Sequence, residues 1–320
     1  MTELSTLLCN GLLPRLGVDP SIDGGIQKWI TNGAYVPRTT GTPGEVVLGQ
    51  VAASSFVPAI GYDFERFALA ARESHAIASL EKESIGVLGW PTLKCYYASF
   101  FAAHAILRSR GASISKLERG HTNHINSVLN VYQNGASPIS PGMFWVSVID
   151  DPSNGPGEIS VSLKPQSKNG AGVHEAFWME FCSFLNDEAA NAVSTGAPGA
   201  SDFVVKTDEL SKTILNGGKT GSWLSHVRNQ INYQHAHDLW LPYRRSTEGY
   251  RSLVGNGFPS IEKARLDVSK TKKPVTAFVN VALYVTNLSI AVSNFLAARS
   301  TKGKAFGQKW RRMNQIIEGK

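Results

Sequence analysis

Apolar side chains recur at helical spacing over most of the chain from residue 64 onward. The pattern predicts helices over 64–84, 92–111, 113–132, 173–192, 222–241 and 275–298, with short helices near Asp208 and in the C-terminal tail. Gly111 suits the end of the second helix, because glycine adopts the left-handed backbone that commonly terminates helices. Gly120 leaves 113–132 open as one helix or as two short ones.

Two β-branched stretches interrupt the helical pattern. MFWVSVID (143–150) and EISVSLKP (158–165) flank an Asn-Gly-Pro-Gly turn, an arrangement that predicts a β-hairpin. We expect this hairpin to be an insertion, at about 136–170, in a helical domain that covers 61–320. Residues 1–60 are rich in Gly, Pro, Thr and Ser and predict an irregular N-terminal arm or cap, in which short apolar pieces such as EVVLGQVAASSFV (45–57) could be strands of undetermined order. The expected fold is therefore mainly α, a helical bundle with an inserted hairpin.

The segment 275–298 contains no charged residue and is long enough to span a bilayer. Its asparagines Asn280, Asn287 and Asn294 are seven residues apart, so they share one stripe of a helix. Three asparagines in lipid would be costly, whereas a polar stripe suits a helix packed within a soluble bundle. We therefore expect a core helix and no membrane partner.

Composition and charge bound the function only broadly. The chain has 320 residues, of which 42% are apolar, and a formal net charge of +7. A basic protein attracts polyanions such as nucleic acids, although this signal is not specific. The three cysteines are far apart and include no CxxC pair, so we expect a reducing, cytoplasmic location and no disulfide framework.

The predicted helix 222–241 is unusual in the residue types on its polar face. Arg228, Asn232 and His235 fall on one stripe, because seven residues bring a helix back to nearly the same direction. An apolar stripe beside it, Leu224–Val227–Ile231, would anchor the helix in the core. Lys and Glu, which usually fill such a face, are absent from this stripe.

A face of this kind suits cleavage of a phosphodiester. A histidine can accept or give a proton near neutral pH, and an arginine can bind a phosphate through two hydrogen bonds. In RNA the 2′-hydroxyl is the attacking group, so no metal or other cofactor is required. The competing interpretation is a structural ladder of hydrogen bonds, since Arg and His at this spacing also arise by chance.

The residues RNQINYQH (228–235) have the form R-N-x5-H, and they resemble the Rx4–6H motif of the HEPN superfamily. The earlier helix YYASFFAAHAILRSRG (96–111) is similar to the aromatic- and alanine-rich helix of HEPN domains. The resemblance implies a helical bundle that forms homodimers, with two motifs facing each other across a cleft. It also implies metal-independent endoribonuclease activity, with catalytic Arg228 and His235 assisted by Asn229.

Further expectations follow from this resemblance. Asn232, Tyr233 and His237 would support the site, and the protein would act on RNA as a toxin or antiviral defence effector, restrained by an antitoxin or regulatory partner. Some HEPN domains are inactive, so the alternative is a dimeric module that binds a nucleotide, RNA or partner protein without cleaving it.

Other residues offer weaker candidate chemistry. Trp240 is followed closely by Tyr243, Arg244 and Arg245. The aromatic rings could stack on bases while the arginines bind phosphates; alternatively, Trp240 could simply seal the end of a helix. The tail is either a further candidate RNA contact or simply a solvated basic end; its basic residues are Lys302, Lys304, Lys309, Arg311 and Arg312. The pairs His121–His124 and His235–His237 could ligate zinc, but no HExxH motif accompanies them, so we predict no metal site.

Overall fold

The fold was analysed in a computed structural model, which describes residues 3–13, 24–84, 88–166, 172–215, 223–240, 274–300 and 306–319. Within these ranges the protein is mainly helical, as expected, and it carries one small antiparallel sheet. The helices are α1 (Glu3–Leu8), α2 (Ile26–Asn32), α3 (Ala53–Ser84), α4 (Gly89–Ser109), α5 (Arg119–Tyr132), α6 (Val173–Ser194), α7 (Ala200–Leu215), α8 (Trp223–Gln234), α9 (Pro274–Arg299) and α10 (Phe306–Glu318). The strands are β1 (Val36–Thr39), β2 (Val46–Ala52), β3 (Ala112–Leu117), β4 (Gly142–Ile149) and β5 (Glu158–Pro165).

The helical core is built around α4. Helices α3 and α9 pack along α4, and α8 crosses it near its first half. Tyr96 of α4 is fully buried. Its ring stacks on that of Phe278 in α9, with centres 5.9 Å apart, and packs edge-on against that of Trp178 in α6, with centres 6.2 Å apart. Aromatic contacts of this kind join the helices into one apolar core.

Helix α9 is the segment that raised the membrane question. Among the described residues it is the one helix long and apolar enough to cross a bilayer, with a mean hydropathy of 1.7 over its most apolar window. That window is 78% buried inside the protein, which agrees with a core helix. One residue of its polar stripe, Asn294, makes a hydrogen bond within the protein: its side-chain oxygen accepts from the Trp310 indole at 2.7 Å.

The predicted hairpin is confirmed as the pair β4–β5, with Val146 opposite Leu163 and Val148 opposite Val161. It is not an isolated insertion, however, because it forms the middle of a five-stranded sheet in the order β1-β2-β5-β4-β3. β2 pairs with β5 on one side and β3 pairs with β4 on the other. The hairpin is therefore held on both edges by segments that lie earlier in the chain.

Two predictions for these earlier segments were wrong. Residues 113–117 belong to strand β3 rather than to a helix; at the two-residue period of a strand Ser113, Ser115 and Leu117 lie on one face and Ile114 lies on the other. Residues 36–52 form β1 and β2 and are not an irregular arm; Val46, Leu48 and Val51 are fully buried. The expected domain boundary at residue 60 falls inside α3.

Candidate functional site

The helix that carries the R-N-x5-H motif is shorter than predicted. It ends at Gln234, and His235 has a φ of +50°, in the left-handed region that terminates helices. The indole of Trp240 donates a 2.8 Å hydrogen bond to the carbonyl of Ile231, and the Ala236 amide donates to the carbonyl of Gln230. These bonds satisfy carbonyls that the last turn of a helix leaves without partners.

The early end of α8 corrects the predicted stripe. Arg228 lies in the helix, but His235 lies beyond it, so the two do not share one helical face. The His235 side chain is exposed, and its ring is 5.5 Å from that of Trp240. Trp240 therefore seals the helix end, as one of the two interpretations proposed. The apolar stripe Leu224–Val227–Ile231 is buried in the core as expected.

Arg228 is held in a neutral, aromatic environment and is only 8% exposed. Its guanidinium donates hydrogen bonds to the Tyr97 hydroxyl and, at 2.8 Å, to the side-chain oxygen of Asn229. Its central carbon lies 5.5 Å from the ring centre of Tyr97 and 5.4 Å from that of Tyr233, within the range of cation–π attraction. Tyr233 itself is 70% exposed, so one side of this arrangement faces solvent.

No carboxylate among the described residues neutralises the charge of Arg228, since none lies at ion-pair distance from it. Within the same ranges its buried Nε atom has no hydrogen-bond partner. Burial acts to lower the pKa of Arg228, but the hydrogen bonds and charges of Tyr97 and Tyr233 outweigh burial, and the pKa is raised. A permanent cation without a counter-ion is suited to binding an anion.

His174, at the start of α6, is a second histidine near Arg228. Its ring and the Arg228 guanidinium both pack against Tyr97, with the His174 and Tyr97 ring centres 6.2 Å apart. Burial, and then the charge of Arg228, lowers the pKa of His174 from its ordinary value, which favours the neutral imidazole. Sequence reasoning missed His174, because tertiary packing rather than local spacing brings it to α8.

The hydrogen bonds of His174 allow it to carry its proton on either ring nitrogen. Its Nδ1 is 3.0 Å from the Tyr96 hydroxyl, which accepts from the Trp178 indole at 3.1 Å and lies 3.4 Å from the Ser225 hydroxyl. If Tyr96 donates to His174, Ser225 can donate to Tyr96; if His174 donates to Tyr96, Tyr96 can donate to Ser225. At Nδ1, therefore, both neutral tautomers of His174 find a hydrogen-bond partner.

A buried histidine–arginine pair lies further along α4. His104 Nδ1 is 3.1 Å from an Arg108 nitrogen, and the Arg108 guanidinium lies 4.2 Å from the ring centre of Phe67. Burial, and then the charges of Arg108 and His174, holds the pKa of His104 well below 6.5. His104 and Arg108 are 7% and 3% exposed, so this pair belongs to the packing of α3 against α4.

The residues predicted to support the site are only partly near Arg228. Asn229 and Tyr233 contact its guanidinium directly, whereas Asn232 is half-buried on the next turn of α8. His237 has a left-handed backbone, and its Nε2 is 3.1 Å from the Gln230 side-chain oxygen. His237 therefore takes part in terminating α8.

The basic tail is less available than its sequence indicates. Lys309 forms an ion pair with Glu65 of α3, and the Arg311 Nε donates to the Gly307 carbonyl of its own helix. Arg312 is exposed on α10. Arg244 and Arg245 lie outside the described residues, as do Lys302 and Lys304.

The candidate zinc pairs have other roles in the structure. The Nδ1 of His121 accepts a 3.0 Å hydrogen bond from the Glu118 amide at the start of α5, and His124 packs edge-on against Tyr35. His235 and His237 both lie in the chain segment that terminates α8. Among the residues that the structure describes, no group of three or more His, Cys, Asp or Glu side chains could hold a metal ion.

No protein-family model matches the chain, and comparison with curated proteins and with solved structures finds no match.

Proposed function

We propose that this protein is a metal-independent endoribonuclease with a HEPN-type helical bundle, acting as a toxin or antiviral defence effector. One observation carries the proposal: Arg228 presents a nearly buried guanidinium, held by Tyr97 and Asn229, that no described carboxylate neutralises. Such a cation binds a phosphate and stabilises the charge that builds on it in the transition state.

The proposed reaction is attack by the 2′-hydroxyl of RNA on the adjacent phosphate. The 2′-oxygen forms a bond to phosphorus, and the bond from phosphorus to the 5′-oxygen breaks. The proton on the 2′-oxygen goes to a base, and a proton from an acid goes to the departing 5′-oxygen. The products are a 2′,3′-cyclic phosphate and a 5′-hydroxyl, so atoms and charge balance without a cofactor.

Histidines supply these two proton transfers in our proposal. His235 is exposed at the end of α8, and His174 lies beside Arg228 with hydrogen bonds that suit either tautomer. Asn229 fixes the guanidinium that binds the phosphate. We further propose a homodimer, because a twofold axis near α8 would bring the His235 and Arg228 of both chains to one cleft.

The alternative function is a dimeric module that binds RNA, a nucleotide or a partner protein without cleaving it. The position of His235 favours this alternative, since it lies beyond the end of α8 rather than on the face of Arg228. In such a module Arg228 would still bind an anion, but no proton transfer would follow.

Incubation of purified protein with total RNA in excess EDTA tests the proposal. We expect the wild-type protein to fragment the RNA and Arg228→Ala to leave it intact. Induced expression gives a second readout, because a nuclease should arrest growth and His235→Ala should relieve the arrest. RNA that binds the wild-type protein and stays intact would support the binding module instead.

A further inference from the structure

A row of aromatic rings runs from solvent to His235. Trp90, in the first turn of α4, is 57% exposed, although tryptophan is normally well buried. Its ring packs edge-on against that of Trp240, with centres 5.5 Å apart. The ring of His235 is in turn 5.5 Å from that of Trp240.

The backbone fixes these rings in place. The amides of Leu88 and Gly89 donate hydrogen bonds of 3.3 and 3.2 Å to the carbonyl of Leu239. Gly89 lies so close to Trp240 that a Cβ atom there would be 2.5 Å from the indole ring, which only glycine avoids. Trp240 is also held by its bond to Ile231. Trp240, fixed in this way, gives the exposed Trp90 ring a rigid neighbour to pack against, which reduces the conformational entropy that Trp90 loses when a ligand stacks on it.

Trp90 lies on the same side of α4 as Tyr97, the residue that is hydrogen-bonded to Arg228. Trp90 and Tyr97 are seven residues apart, so they occupy one face of the helix at a separation of about 10 Å along its axis. Tyr97 accepts a hydrogen bond from Arg228, and Trp90 contacts Trp240 just beyond α8. A stacked nucleic acid strand rises about 3.4 Å per nucleotide, so a strand of a few nucleotides spans this separation.

We propose that Trp90, supported by Trp240, is a stacking site for an unpaired nucleobase of the RNA strand whose phosphate Arg228 binds. Aromatic side chains beside a basic groove bind single strands because every base has a flat face that can stack. A paired base is already stacked within its duplex and cannot reach Trp90. The site thus selects single-stranded RNA, and this inference rests on the proposed function at Arg228.

Binding of a fluorescent single-stranded 2′-O-methyl RNA of about ten nucleotides tests the inference. Its 2′-oxygen is blocked, so it reports binding without cleavage. We expect Trp90→Ala to weaken binding of the single strand about tenfold, and Trp90→Phe to retain most of the affinity. Tyr132→Ala is the matched control, because Tyr132 is equally exposed at 56% and lies on α5, which packs against α2, β1 and β3.

The outcomes separate this inference from the proposed function. Equal binding by Trp90→Ala and wild-type protein would overturn the stacking site, as would an equal loss for single-stranded and duplex RNA of the same sequence, or no binding by the wild type. A selective loss in Trp90→Ala supports the site even if unmodified RNA is never cleaved. Conversely, cleavage by a Trp90→Ala protein with unchanged RNA affinity would leave the nuclease standing and remove the site.

Discussion

The guanidinium of Arg228 donates a hydrogen bond to the hydroxyl of Tyr97, and this bond connects the motif helix α8 to the aromatic helix α4. His174 also packs against Tyr97, as it does against Tyr96 and Phe100. One tyrosine therefore brings together a cation from α8 and an imidazole from α6. These two groups, rather than Arg228 and His235 on one helical face, are the arginine and the histidine that pack on the same tyrosine.

Among the histidines near or on α8, His174, His235 and His226 should differ in their importance. We expect His174→Ala and His235→Ala each to lower kcat for RNA cleavage about a hundredfold or more, because each removes a proton-transfer group. His226→Ala is the control, since His226 is exposed on the same helix, and it should leave kcat unchanged. His174→Ala should change the pH profile of kcat with little effect on KM. Full activity of His174→Ala would show that His174 is only structural.

The ion pair between Lys309 and Glu65 should matter for stability rather than for RNA binding. The Glu65 side chain is 7% exposed and would be left buried without its cation. Lys309→Met should therefore lower the free energy of unfolding by about 1–3 kcal/mol. Arg312→Met, on the exposed face of the same helix, should change it by less than about 0.5 kcal/mol. Urea unfolding measures both, and equal shifts of the two midpoints would contradict the structure.

Stability should fall as the pH drops from about 6.5 toward 4. Burial lowers the pKa of His75 to about 4, with a further contribution from Arg72, and burial first also lowers the pKa of His104 and His174. Above pH 6.5 these histidines are neutral in both the folded and the unfolded state, so their full contribution to the free energy of unfolding is present. Below pH 6.5 the unfolded chain takes up protons that the folded protein does not. Each histidine then lowers the free energy of unfolding by up to about 1.4 kcal/mol per pH unit.

Urea unfolding at several pH values checks this dependence. His104→Asn keeps an acceptor for Arg108 but removes one titrating group, so stability should decline less steeply with falling pH in this variant than in the wild type. Unchanged wild-type stability between pH 7 and 5 would show that these histidines are not held neutral.

A shared site in a homodimer predicts complementation between inactive variants. Arg228→Ala and His235→Ala chains should each be inactive alone, and a mixed dimer should regain part of the wild-type cleavage rate, because one chain supplies the arginine and the other the histidine. Mass measurement in solution should give twice the chain mass. A monomer that cleaves RNA, or a mixed dimer without activity, would refute the shared site.

The sequence predicted what depends on local pattern. The β4–β5 hairpin and the buried helix α9 were visible because residues that are neighbours in sequence determine them. Strand β2 was noted as a possible strand but could not be placed, because its partner β5 is more than a hundred residues away, with Val46 opposite Leu163. The end of α8 was misplaced because Trp240, nine residues after Ile231, caps it through a side chain. His174 has no motif of its own and joins the site only through packing.

The most direct test of the central claim is the cleavage of a defined, end-labelled RNA in EDTA by three proteins. We predict that the wild type leaves 2′,3′-cyclic phosphate and 5′-hydroxyl ends, and that Arg228→Lys cleaves about a hundredfold more slowly, because lysine cannot bind phosphate through a planar fork. Arg66→Lys should match the wild type, since Arg66 also packs on a tyrosine, Tyr62, but at the exposed surface. No cleavage by the wild type, cleavage that requires a divalent metal, or full activity in Arg228→Lys would contradict the account.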